Sequence, residues 1–317
     1  MTKVYMKRGN KSKRGGDKIT VLEKSISTTG SYKLKELKKG DKIPIISDAM
    51  FNAMLNNENK KQYVSLIISE VLKVSYKEIY ESIIFVKEKL DKERIIELGK
   101  EVDLVCKINN EIVGIEMNNN PSKRSLERNI SYAADLYKSK MIKGKAYEYN
   151  KVVQININNF TFGNEETINE YYLRDNKGEI FTDKIRFIHI YLPNIRKKGY
   201  NRLNRLEKLM LVLNEEKEKS IEIALGDEIM EEYVKDAMYT SSEDEIIGLY
   251  DKELHLEKLH LSDIEDAKEE ALKQGKEEGI KEDQKRIINN MISKGLTIDE
   301  VSLYTDISKE EIEKLIN

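Results

Sequence analysis

Two carboxylates, Asp103 and Glu116, lie in the stretch EVDLVCKINNEIVGIEMN at residues 101–118. The stretch reads as two strands alternating apolar and polar residues around Asn109 and Asn110, and an Asn-Asn pair tolerates the positive φ of a two-residue hairpin turn. A turn of that length sets the register. Ile108 faces Glu111, Val105 faces Gly114, Asp103 faces Glu116 and Glu101 faces Asn118. Directly opposed residues share a face with Cβ atoms roughly 4.5–5.5 Å apart, and like charges so placed repel. A divalent cation resolves that repulsion, since Mg²⁺ takes one or two carboxylates and leaves its other positions to water and phosphate oxygens. Val102, Leu104, Cys106, Ile108, Val113, Ile115 and Met117 occupy the other face and are expected to be buried. One face is then core and the other a site.

An Asp in one strand, then a strand ending in Glu-x-(Lys or Gln), then a helix, resembles the PD-(D/E)XK nuclease superfamily. Three segments, GKEVDLVCKINNEIVGIEMNN, KRSLERNISYAADLY and KVVQININ, are similar to the recombination-promoting nuclease and PD-(D/E)XK family transposase group, over roughly residues 49–221. A helical tail punctuated by glycine is also typical of that group. The resemblance implies an α/β fold with a restriction-endonuclease-like core, a mixed central sheet flanked by helices, built on an α-β-β-β-α-β unit. It implies Asp103 and Glu116 as ligands of Mg²⁺ or Mn²⁺ and Asn118 as the third member of the catalytic set. Where the superfamily has Lys, and this group often Gln, Asn118 is neutral and short. It can orient a water but supplies no positive charge. The superfamily helix before the hairpin sometimes adds a Glu near the metal, and Glu70 is the candidate here. The ordinary alternative is an exposed Glu on an amphipathic helix.

The elements around the hairpin follow from local pattern. Ser47 or Asp48 caps a helix with Met50, Phe51, Met54 and Leu55 at helical spacing, and Tyr63, Leu66, Ile67, Glu70 and Val71 mark a second. Ile83–Val86 reads as a strand leading into the hairpin. Asn120 as N-cap and Pro121 at N1 open a helix running to about Gly144, with Leu126, Ile130, Ala133, Tyr137 and Met141 as its buried stripe. Its positive end and first turns aim Lys123, Arg124 and Arg128 at the site, where they suit a DNA phosphate. A solvated face with Glu127 paired locally is the alternative. In the strand VVQININ, residues 152–158, Val153, Ile155 and Ile157 share one face. Gln154 and Asn156 share the other, either approaching the site or forming an ordinary polar strand face. Residues 160–182 carry no legible chemistry. IRFIHIYL, residues 185–192, is a further strand whose His189 reads as structural, and Leu203, Leu206, Leu209, Met210 and Leu213 mark a helix packed on the sheet.

Charge divides the 317 residues more sharply than the net of −2 suggests. Residues 1–42 hold 13 basic and 4 acidic residues, whereas 214–317 hold 14 and 30. This is the pattern of a basic N-terminal arm at 1–42, a nuclease-like domain at 43–215, an acidic helical connector at 216–282 and a small helical bundle at 283–317. The arm's first twenty residues suit phosphate binding without sequence readout, or a solvated disordered terminus. In the connector, residues 263–282 carry few large apolar side chains, so that helix buries little. Two capping boxes, Thr297 with Glu300 and Ser308 with Glu311, open the last helices. The glutamates of the terminal helix argue against DNA contact there, so a protein partner or homo-oligomer contact is expected.

A single cysteine excludes a disulfide framework and fits a reducing, cytoplasmic setting. Three scattered histidines offer no zinc spacing. The basic N-terminus lacks the apolar segment of a secretory signal, and the longest apolar run, VSLII, cannot span a bilayer. Together these features point to a metal-dependent DNA endonuclease tied to recombination or mobile elements. The rival is a catalytically inactive nuclease fold kept as a DNA-binding or protein-interaction module.

Overall fold

A computed structural model describes residues 27–86, 102–109, 111–119, 125–138 and 151–316. The basic arm at 1–20, the Asn120–Pro121 cap, Lys123, Arg124, Met141 and Gly144 lie outside the described residues. Two compact units are present, one up to Asp251 and one from Lys252.

The first unit is built on a mixed sheet of six strands: β1 (Ile83–Phe85), β2 (Leu104–Ile108), β3 (Glu111–Asn118), β4 (Lys151–Asn158), β5 (Ile168–Arg174) and β6 (Ile180–Tyr191), in the order β1-β2-β3-β4-β6-β5. β1, β2 and β3 are antiparallel neighbours, β3, β4 and β6 run parallel, and β5 returns antiparallel at the edge. Helices α1 (Asp48–Met54), α2 (Lys61–Leu72) and α3 (Tyr76–Ser82) precede the sheet, and α4 (Ser125–Lys138) crosses from β3 to β4. This is a restriction-endonuclease-like α/β fold.

Local chemistry accounts for the hairpin. Asn109 adopts φ +51°, and Ile108 pairs with Glu111, Val105 with Gly114 and Leu104 with Ile115, the register a two-residue turn imposes. Continued by one pair, it sets Asp103 opposite Glu116. Leu104, Cys106, Ile108, Val113, Ile115 and Met117 are buried together as expected. The other face is not simply open, however. Helix α4 covers it, and Ala133 and Leu136 pack on Ile112 and Val152 with Val105 alongside. Val102 joins this cluster instead of the opposite one, since the chain bends at Asp103 before β2 begins.

The phase of α4 also differs from the expected stripe. Ile130 is 57 % exposed, while Ser125, Asn129, Tyr132, Ala133 and Leu136 face inward. The helix is rotated by one residue, which sets Ser125 and Asn129 against the polar side of the sheet. Residues 168–191, of which those up to 182 carry no legible chemistry in the sequence, form the β5–β6 hairpin. Its turn is held by Asp175 Oδ1, which accepts from the backbone of Lys177 at 2.8 Å and Glu179 at 2.9 Å, with Gly178 at φ +87°.

After β6 come α5 (Leu192–Lys197), α6 (Arg205–Asn214), α7 (Lys217–Ala224), α8 (Glu228–Thr240) and α9 (Asp244–Ser293). Asn204 and Glu207 close a capping box on α6, whose Leu206, Leu209, Met210 and Leu213 are buried. Helices α7 and α8 pack on α6 through Ile223, Met230, Tyr233, Val234 and Ala237, so the first unit extends past residue 215 to Asp251. In the second unit, α9 leads to α10 (Ile298–Thr305) and α11 (Lys309–Ile316) around Ile288, Val301 and Ile312.

Candidate active site

The open end of the β2–β3 hairpin brings Asp103 and Glu116 together through crossed hydrogen bonds. The backbone N–H of Asp103 donates to Glu116 Oε1 at 3.0 Å, and that of Met117 donates to Asp103 Oδ2 at 2.8 Å. Each carboxylate therefore grips the opposite strand by one oxygen. Glu116 is 3 % exposed. Burial raises the pKa of both groups, and the charge of Asp103 raises Glu116 further. Two backbone donors and the Arg128 guanidinium act in the other direction. This is the electrostatic condition of two like charges held at one place by the fold.

A third carboxylate, Asp48 in the first turn of α1, adds to the field and raises both members of the pair. Its side chain keeps an exposed edge, yet the protein around it desolvates the carboxylate and raises its pKa. Ser47 is the N-cap of that helix, its side chain accepting from the Met50 N–H. Two contacts tie this segment to the hairpin end. Asn56 Nδ2 donates to the Asp103 carbonyl at 3.2 Å, and Asn119 Nδ2 bonds the Ile46 carbonyl. Sequence reading took Asp48 only as a possible cap, because nothing in its local pattern relates it to residue 103 or 116.

Glu70, the accessory candidate from the superfamily, is not brought to the pair. Its carboxylate accepts from Arg205 Nη1 at 2.9 Å, and Arg205 Nε also donates to Asp227 at 2.8 Å. Tyr132, which the sequence did not single out, is buried on α4, and the charge of Glu116, after burial, raises its pKa.

Asn118 lies beyond Glu116 on the same face and is 1 % exposed. Both ends of its carboxamide are engaged. Oδ1 accepts from Arg128 Nη2 at 2.6 Å, and Nδ2 donates to Asn158 Oδ1 at 3.3 Å. Asn158 in turn donates through Nδ2 to the carbonyls of Asn156 at 3.0 Å and Ile190 at 3.2 Å.

The parallel register extends this polar chemistry across the sheet. Glu116 is level with Asn156 and then His189, and Asn118 is level with Asn158 and then Tyr191. His189 has Asn156 Nδ2 at 3.4 Å from Nε2 and Asn158 Nδ2 at 3.4 Å from Nδ1, with the rings of Tyr171 and Tyr191 beside it. Gln154 lies one step behind, across Gly114 and under Leu136. A Cβ at Gly114 would collide with Gln154 Oε1 and meet Leu136 Cδ1 at 3.0 Å, so glycine lets both side chains approach the strand closely. Both polar atoms of Gln154, both of Asn129, Ser125 Oγ and Asn156 Oδ1 are buried without a hydrogen-bond partner among the described residues. Such atoms are few in native interiors and call for an explanation. Here they belong to α4, through Ser125 and Asn129, and to the polar side of β4, through Gln154 and Asn156.

No group of three metal-ligating side chains gathers among the described residues. The pair nevertheless fits a hard cation. Its donors are oxygens, its members are destabilised by mutual charge, and one or two carboxylates are the protein share of a typical Mg²⁺ site.

Fold and site together define a nuclease-like α/β domain with paired acidic residues at the end of a central hairpin. The family model for PD-(D/E)XK nuclease family transposases matches residues 45–267, and the chain belongs to that family. Nothing matches it among curated proteins or among solved structures. No described helix is long and apolar enough to cross a membrane.

Proposed function

We propose that the protein is a metal-dependent DNA endonuclease that hydrolyses phosphodiester bonds in the cytoplasm, in recombination or the movement of mobile elements. The observation that carries this reading is the crossed Asp103–Glu116 pair, half-buried at Asp103 and buried at Glu116, whose mutual repulsion a divalent cation would relieve. Asp103 and Glu116 would hold Mg²⁺ or Mn²⁺. When bound, such an ion lowers the pKa of a water and stabilises charge developing on phosphate. Asn118, next on the same face, helps order the reacting end of the site. Lys123, Arg124 and Arg128, from the segment after β3, meet the DNA backbone, where contacts to phosphate position a duplex without reading its sequence. The helices of the second unit are surfaces for a protein partner or a second copy.

A plasmid-nicking assay with Mg²⁺, Mn²⁺ and EDTA, beside an Asp103→Ala control, tests the reading. Cleavage that needs metal and is lost in the control supports it. Retarded DNA without cleavage favours the binding-module alternative, for which the neutral, fully engaged Asn118 is the specific observation.

A further inference from the structure

We propose that Arg128 supplies the positive charge at the scissile phosphate, and that Asn118 is the positioning residue that presents it. The proposal rests on the nuclease reading and names how that site meets its substrate.

Asp103 and Glu116 are held together by crossed hydrogen bonds, and the charge of Asp48 acts on both. A dianionic transition state formed among them needs a cation besides any metal ion, since charge that develops during reaction is stabilised by donors already aimed at it. Among the described residues, Arg128 is a cation whose charge acts on both Asp103 and Glu116, and its hydrogen bond to Asn118 holds it two positions along β3 from Glu116. It makes no ion pair with either one among the described residues. A neutral amide holds it instead. Asn118 Oδ1 takes one Nη2 hydrogen at 2.6 Å, and the guanidinium carbon lies 6.0 Å from the centre of the Tyr132 ring. An amide fixes the guanidinium without cancelling its charge, and the exposed side chain keeps donors for a bidentate grip on phosphate.

The polarity of that amide is itself determined by the sheet. Asn158 must direct Nδ2 toward the Asn156 and Ile190 carbonyls, so its Oδ1 faces Asn118. Asn118 must then turn Nδ2 toward Asn158 and Oδ1 outward, which is the orientation that receives Arg128. A relay of two amides thus transmits the backbone of β4 and β6 to the guanidinium. Lysine at position 118 would carry its charge directly. This chain divides the task between a neutral strand residue and a basic helix residue.

The test moves the cation. Arg128→Gln should lower the single-turnover cleavage rate at saturating metal about a hundredfold or more, the scale on which removal of one transition-state donor acts. Asn118→Lys combined with Arg128→Gln should recover the rate to within about tenfold of wild type, because the charge returns to the same place. A second readout does not depend on cleavage. In EDTA, Arg128→Gln should reduce the slope of log K for duplex DNA against log salt by about 0.9, the loss of one phosphate contact. Three outcomes overturn the proposal: a wild type that nicks DNA with Arg128→Gln within about threefold of it, a folded double variant that recovers nothing, or an unchanged salt slope. If wild type binds DNA but never cleaves it, the nuclease reading fails, and the salt slope still decides whether Arg128 meets phosphate.

Discussion

Strands β3 and β4 have two faces that are equally buried and chemically opposite. On one, Val113, Ile115, Met117, Val153, Ile155 and Ile157 lie within the apolar core. On the other, beyond Ile112 and Val152, the same strands present Gly114, Glu116, Asn118, Gln154, Asn156 and Asn158. Each buried apolar side chain stabilises the fold by roughly 1.5–3 kcal/mol relative to exposure. A buried polar atom without a partner costs about 1–3 kcal/mol, and a buried pair of like charges adds repulsion. Stability therefore comes from the first face, and the second is tolerated. Strain concentrated on one side of a stable sheet is what a site for a cation and an anionic substrate requires.

The largest expected effect tests the apolar face. Ile155→Ala should cost about 2–5 kcal/mol by removing buried volume that its neighbours only partly refill. Urea denaturation measures it. A loss under about 1 kcal/mol would mean that the core of β4 does not anchor the sheet.

Next is the charged pair, for which pH sets the sign. A carboxylate whose folded pKa is raised keeps its proton in the fold after the unfolded chain has lost it at about 4.3. Below that value there is no penalty. As pH rises from there through the raised pKa, folding is progressively disfavoured. In EDTA, Glu116→Gln should therefore melt close to wild type at pH 4 and above it at pH 8.5, by at least about 1.4 kcal/mol, the worth of one pKa unit. Its cleavage should be lost. A variant that instead melts well below wild type at pH 8.5 would make Glu116 a structural hydrogen-bond acceptor.

The smallest effect belongs to the orphan amides. Gln154→Met keeps the shape and removes two unpaired polar atoms, so stability should rise by about 1 kcal/mol. Calorimetry that shows a loss instead would mean that ordered water satisfies the amide. The contrast between the faces would then be one of hydration and not of strain.

The sequence by itself determined the hairpin and hence the facing of Asp103 and Glu116, because alternation and turn length are local quantities and a two-residue turn leaves one register. It also determined the α6 stripe and the Thr297–Glu300 capping box, each of which depends on residues within a few positions of one another, while the mixed α/β core was legible through the family resemblance. Tertiary structure alone decided the rest. A helical pattern tells that α4 is amphipathic, but Ser125 and Asn129 turn inward only because a polar strand face lies beneath them. The charge of Asp48 acts on the pair, and Glu70 is captured by Arg205, because the fold brings together distant parts of the chain, which no spacing rule encodes. Of the β5–β6 hairpin only the buried end of β6, from Ile185, shows a strand pattern in the sequence; β5 and the start of β6 are half-exposed, show little clean alternation and gave no strand signal. The hydrogen bonds of Asn118 to Arg128 on α4 and to Asn158 on the neighbouring strand likewise join residues that no local pattern relates. Period and turn chemistry are short-range properties of a chain, whereas the environment of a charge is made by whatever the fold brings beside it.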